Sequence, residues 1–222
     1  MLNTSQLIDK FYTFEKNNSR LFSFEGIEGS GKSTQIQILK NYLTDLGYEV
    51  LLLREPGGTS FGEGLRSAIL NSSSPLTPIS EAYLFASSRA QLIQEKILPF
   101  LKNEKHIVIL DRYIDSSMAY QGNARGLGMD TILNIHTISP LNIMPNKTFY
   151  LSITMQESMK RQDSRGNQKD YFEKENQDFY LKLIEGYENC ADKFTNRIIR
   201  IDASRPIEEV SATLLDEMKK LL

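Results

Sequence analysis

The sequence predicts an α/β domain built on a five-stranded, mainly parallel sheet with helices on both faces. Three observations carry that prediction. An apolar run, Leu21 to Phe24, ends at Glu25 and meets a glycine cluster, after which Ile36, Leu39, Leu43 and Leu46 fall on one helical face. Further short apolar runs recur at Glu49 to Leu53, Ile107 to Leu110, Thr148 to Ile153 and Ile198 to Ile201. Runs of this kind suit strands buried on both faces of a parallel sheet. Helical stretches separate them, which implies right-handed crossovers and function at the carboxyl edge of the strands.

Taken in order, residues 1–19 precede the first strand and read as a peripheral extension, with Leu7, Ile8, Phe11 and Tyr12 on one face of a short helix. Residues 20–222 form the domain. Gly47 supplies a helix stop before the second strand, and Asn71 to Pro78, rich in serine and proline, reads as a surface loop. The last helix starts after Arg205-Pro206 and places Val210, Leu214, Met218 and Leu221 at helical spacing to close the core. No internal repeat interrupts this plan.

Composition excludes several classes. A net charge of -2 argues against a general nucleic-acid binder, so any anion site must be local. No apolar run approaches the roughly 20 residues that span a bilayer. The first 19 residues lack the apolar core of a signal peptide, and Asp9 and Glu15 disfavour a transit peptide. Cys190 is the only cysteine, which excludes an internal disulfide and fits a reducing cytoplasm. His106 and His136 sit in no ligand-like or nucleophile-like pattern and are expected to be structural.

Gly26-Ile27-Glu28-Gly29-Ser30-Gly31-Lys32-Ser33 matches the phosphate-loop pattern G-x-x-x-x-G-K-[ST] in full, between a strand and a helix. Glycines let the backbone curl so that successive N–H groups face phosphate oxygens, and the helix that follows adds its positive end. The match implies an ATP site at Gly26, Gly29, Ser30, Gly31, Lys32, Ser33 and Thr34. Lys32 would reach the β and γ phosphates, and the Ser33 hydroxyl would bind Mg²⁺. A second magnesium ligand is expected at the end of a neighbouring strand, where Asp111 follows Ile107 to Leu110. Arg112 beside it could face a substrate phosphate at the same edge.

Further segments narrow the acceptor. Arg54-Glu55-Pro56-Gly57-Gly58-Thr59, Phe85-Ala86-Ser87-Ser88-Arg89, and Asp111-Arg112-Tyr113 continuing through Ser116-Ser117 and Ala119-Tyr120-Gln121-Gly122 resemble the bacterial thymidylate kinase family. The resemblance runs from about Phe22 to the C-terminus with the motifs in the family's order. It implies a nucleoside monophosphate kinase fold with a mobile lid, MgATP and dTMP as substrates, and a homodimer.

By the same resemblance Arg54, Arg66, Arg89 and Arg112 surround the acceptor phosphate, a task suited to a guanidinium fork that never deprotonates. Phe85 is similar to a platform against the thymine ring, Ser117 and Gln121 to groups at the base edge, and Tyr120 to a ring that disfavours a 2′-hydroxyl. Glu28 and Glu55 resemble carboxylates that contact the acceptor's sugar or position the site, and the Glu55-Pro56 bond is expected to be cis. The lid is expected at about 160–173, where Gly29 in the phosphate loop implies that a lid cation serves the transferring phosphoryl group. Arg165 leads for that role and for ATP contact, followed by Arg161, with Lys169 nearby. The chain departs from the pattern at Asp170-Tyr171-Phe172-Glu173, where Tyr171 stands at a usual arginine position. Asp202 to Pro206 resembles a loop that packs against adenine. The alternatives are a kinase for another pyrimidine monophosphate or deoxynucleoside, and a nucleotide-dependent switch that hydrolyses without an acceptor.

Overall fold

The computed structural model describes residues 3–13, 20–72, 74–163 and 176–222. Its five strands are β1 (Leu21–Glu25), β2 (Glu49–Arg54), β3 (His106–Asp111), β4 (Lys147–Ser152) and β5 (Ile198–Asp202). They form one sheet in the order β2-β3-β1-β4-β5, and every pairing is parallel. All five agree with the runs read from sequence. The strand order turns around β1, so a crevice opens at its carboxyl end, where ligands of such sheets bind. Register levels the functional ends, because Asp111 pairs with both Phe24 and Arg54.

Burial grades from the centre outward. All five residues of β1 are buried, whereas β2 shows exposed ends and a half-buried middle. The expectation that Glu49 to Leu53 is buried on both faces is thus corrected: β2 is an edge strand. Its leucines, which alternate between the two faces, still pack half-buried against the core.

The helices are α1 (Thr4–Ile8), α2 (Lys32–Asp45), α3 (Ser60–Leu70), α4 (Pro78–Leu92), α5 (Leu98–Phe100), α6 (Ile114–Ser117), α7 (Met129–Ile135), α8 (Met155–Asp163), α9 (Gln177–Lys193) and α10 (Ile207–Lys219). Thr77 caps α4 by accepting from Ser80 N, with Pro78 in the first turn, so the residues before it form the expected loop. Two π-helical segments, Ile93–Ile97 and Met118–Ala124, extend α4 and α6. Such widened turns often mark functional sites. The second carries Tyr120 and Gln121. In α10, Val210, Leu214 and Met218 are buried, as their spacing predicts.

Helix α9 packs along the Met118–Ala124 segment because Gly186 has no side chain: a Cβ there would lie 2.8 Å from Ala119 Cα. That approach brings the neighbouring Tyr187 into the site. Over residues 3–13 the extension is fastened to the domain. Asn3 and Gln6 form a capping box on α1, Leu7 is 1% exposed, and Tyr12 makes a parallel bridge with Ile143. Thr4 binds Asp130 and accepts from Lys193.

Candidate active site

The glycine motif forms the turn between β1 and α2. Gly26 has φ 137°, and a Cβ on it would lie 2.6 Å from the Leu151 carbonyl oxygen, so no side chain fits. Lys32 opens α2 yet is buried, its Nζ donating to the Gly26 and Ile27 carbonyls at 2.9 and 3.2 Å. Burial, then the Arg112 charge, pull its pKa down to about 8. A cation curled onto its own loop's carbonyls is ready to exchange them for a stronger anionic partner.

A cavity of about 300 Å³ begins at this loop and runs along the carboxyl edge of the sheet. Glu28, Gly29, Gly31, Lys32, Ser33 and Thr34 line one end, while Gly26 and Ser30 of the same loop are buried. Arg54, Glu55, Pro56, Arg66, Phe85, Tyr120 and Gln121 line the other, with Asp111 and Arg112 on the wall as well. Most residues proposed from sequence are therefore brought to one space. Ile69, Leu70, Ser116 and Tyr180 also line it and were not foreseen. Their signals, ordinary apolar and polar residues on helices, are silent until the chain is folded.

Arg112 is the only non-glycine with positive φ, 71°, among the described residues. Its backbone N–H donates to Phe24 O, and its Nη1 donates to Gly26 O at 3.1 Å, Tyr187 OH at 2.8 Å and Ser116 Oγ at 3.3 Å. Glu28 stands 3.6 Å from its other terminal nitrogen. Beneath it lies Glu25, fully buried at the end of β1. Glu25 accepts from Tyr113 N at 2.7 Å and from Ser116 Oγ at 2.6 Å. Burial, with Asp115 adding to it, pushes its carboxyl up to about 8. Burial works against the charge of Arg112, yet neighbouring groups, Tyr120 and Tyr187 foremost, outweigh it and hold the guanidinium protonated.

Arg89 and Ser117 are not on the cavity wall. Arg89 is 1% exposed, and its nitrogens go to Glu55 Oε2 at 2.8 and 2.6 Å, His136 Nε2 at 2.6 Å and Ser117 Oγ at 3.1 Å. It pairs with Glu55, which does line the cavity. Ser117 Oγ accepts from Arg89, which leaves its O–H as a donor. Arg66 donates to Pro56 O at 3.3 Å, bracing the turn after β2, and the Glu55-Pro56 bond is cis as expected.

His136, which the sequence leaves without a site role, is the far anchor of this group. Its Nδ1 is 2.7 Å from Ile132 O, a pure acceptor, so Nδ1 carries the proton and Nε2 accepts from Arg89. Burial, then the Arg89 charge, hold its pKa down to about 3. Unfolded histidine takes a proton near 6.5, so unfolding binds a proton between those values and stability falls as pH is lowered. His136→Gln keeps an acceptor for Arg89 but cannot titrate. The stability difference between the two proteins should shift against the histidine form by roughly 1 kcal/mol per pH unit from pH 6 to 4. Urea unfolding at three pH values checks this, and parallel curves would exclude it.

At the lid side, Arg165 and the rest of 164–175, including Lys169 and Tyr171, lie outside the described residues. Arg161 is described: it donates to Glu157 Oε1 at 2.7 Å, to Ala203 O at 3.0 Å and to the carbonyl of Gly29, a lining residue, at 3.2 Å. It thus ties α8 to the phosphate loop and to the turn after β5. Ser158 reinforces the tie by donating to Glu28 O at 2.7 Å.

A family model for thymidylate kinase matches residues 24–214. The chain belongs to the thymidylate kinase family. It is 44% identical over 203 residues to the thymidylate kinase of Thermoanaerobacter sp. (strain X514), covering 91% of this chain and 98% of that one. Against the thymidylate kinase of Chlorobaculum tepidum it is 42% identical over 209 residues, covering 90% and 97%. The crystal structure of thymidylate kinase from Ehrlichia chaffeensis superimposes with a TM-score of 0.70 at 32% identity, covering 92% of this chain and 98% of that one. The family match starts at Phe24, so α1 lies outside it, whereas Asp130, Ile143 and Lys193, which hold the extension, lie within it.

Proposed function

We propose that this member of the thymidylate kinase family transfers the γ-phosphoryl group of MgATP to dTMP, giving ADP and dTDP for dTTP synthesis. One observation carries the reading: a single cavity joins the phosphate loop to the Phe85, Tyr120 and Gln121 pocket, with Arg112 on the wall they share. Donor phosphates would lie on the loop and Lys32, and the acceptor base between Phe85 and Gln121. Its phosphate would then come between Arg54 and Arg112. In the transfer, an acceptor phosphate oxygen forms a bond to the γ phosphorus while the bond from that phosphorus to the β–γ bridging oxygen breaks in line. The acceptor is already ionised, so no general base is required, and alignment and charge neutralisation do the work.

Magnesium suits the donor set. Asp111 Oδ1 is buried without a hydrogen-bond partner, and Ser33 on the wall of the same cavity adds a second hard oxygen. Ser33 and Asp111 would hold the ion, which neutralises phosphate charge when bound. For the lid, Arg165 remains the proposed cation on the transferring group, with Arg161 as its anchor on the phosphate loop.

The decisive experiment measures phosphorylation of dTMP, dUMP, UMP, CMP and thymidine side by side. Turnover with dTMP far above the others is expected. Preference for another acceptor, or ATP hydrolysis without one, would reject the reading. The same proposal includes a homodimer, for which Phe61, Ile79 and Tyr83 expose apolar surface, and a cytoplasmic site of action. Light scattering tests the dimer. No described helix is long and apolar enough to cross a membrane.

A further inference from the structure

The geometry points to Glu81 as the residue that sets which nucleobase the pocket accepts, by fixing the direction of the Gln121 amide. Glu81 lies in the first turn of α4 and is 0% exposed. One of its oxygens, Oε1, accepts from Gln121 Nε2 at 2.7 Å, and the other stands 3.4 Å from an Arg125 terminal nitrogen. Arg125 in turn lies over the Phe179 ring at 4.7 Å, so the cation that holds the carboxylate is itself held by α9.

An amide side chain has a donor end and an acceptor end that differ little in shape, and only its neighbours decide which way it faces. A carboxylate can only accept, so the NH₂ of Gln121 must turn toward Glu81. Its Oε1 is then the end left over. That oxygen is buried and has no hydrogen-bond partner, in a residue 1% exposed that lines the cavity. A buried acceptor without a donor carries a free-energy cost that a ligand N–H would remove. Glu81 thereby makes this point of the pocket an acceptor.

The consequence concerns pyrimidine identity. Thymine and uracil carry N–H at ring position 3, which satisfies the Gln121 oxygen. Cytosine has a lone pair there and would meet another lone pair. Glu81 touches no substrate in this arrangement; it is a positioning residue that acts through Gln121. It does not distinguish thymine from uracil, because the 5-methyl group lies elsewhere on the ring.

This inference rests on the thymidylate reading, and the experiment separates the two. The kcat/KM values for dTMP, dUMP and dCMP are measured in the unmodified protein, in Glu81→Met, and in the double variant Glu81→Lys with Arg125→Glu. In the unmodified protein dCMP should be at least about tenfold poorer than dTMP, on the scale of one mismatched buried hydrogen bond. Methionine frees the amide to turn, and the dTMP-to-dCMP ratio should fall by about tenfold while the dTMP-to-dUMP ratio holds. The double variant keeps an ion pair but offers Gln121 a donor, turning its NH₂ into the cavity, so the ratio should fall further, toward dCMP. Thermal melting identifies which variants fold. Comparable use of dCMP and dTMP by the unmodified protein overturns the inference without any variant, and so does an unchanged ratio in any folded variant. Failure of the unmodified protein to phosphorylate dTMP rejects the functional reading itself.

Discussion

Arg112→Ala should lower kcat for dTMP phosphorylation by about 10³-fold, with a smaller rise in KM, on the scale of a cation removed from a phosphoryl-transfer site. The expectation comes from how much of the structure is committed to this side chain. Its backbone sits at φ 71°, a region where a non-glycine residue is uncommon and costly. Its guanidinium is fixed at once by the phosphate loop through Gly26 O, by α6 through Ser116 and by α9 through Tyr187. Those contacts hold the charge on the wall of the cavity in which donor and acceptor phosphates would meet. Arg112→Lys retains the charge but not the fork, so it should recover only part of the rate. Steady-state kinetics of both variants, with melting curves to confirm folding, check this. Equal kcat in the alanine variant and the unmodified protein would remove Arg112 from the reaction.

The sequence revealed what is local. The glycine motif, the apolar runs and the proline-marked start of α10 each draw on neighbours within a few residues, and each is found in place. It also supplied Asp111, because a carboxylate that ends a buried strand is a local feature. It did not reveal the partners that decide orientation. Arg89 lies in a recognisable motif, yet its direction is set by Glu55 and His136, 34 and 47 positions away. The same holds for Gln121, whose amide is set by Glu81 40 positions earlier. Glu25 looks like the last residue of a strand, and only folding shows it beneath Arg112 with Ser116 and Tyr187 above it. The position of β2 at the sheet edge depends on strand order, which a run of leucines cannot encode.

The second large effect is expected at Lys32. Lys32→Met should reduce kcat by about 10²–10³-fold and weaken ATP binding, since one charge-bearing donor in a water-poor site is worth that much. In the structure the Lys32 ammonium is satisfied by the Gly26 and Ile27 carbonyls, which are neutral, so phosphate oxygens carrying full charge would draw it away. Freeing it also releases the Gly26 carbonyl, which Arg112 shares as an acceptor. The two cations are therefore coupled through one peptide oxygen, and their removal should not be additive. If they act as a unit on the transferring group, the Lys32→Met, Arg112→Ala double variant should lose much less than the product of the single losses. Independent multiplication would show instead that each cation serves a separate ligand.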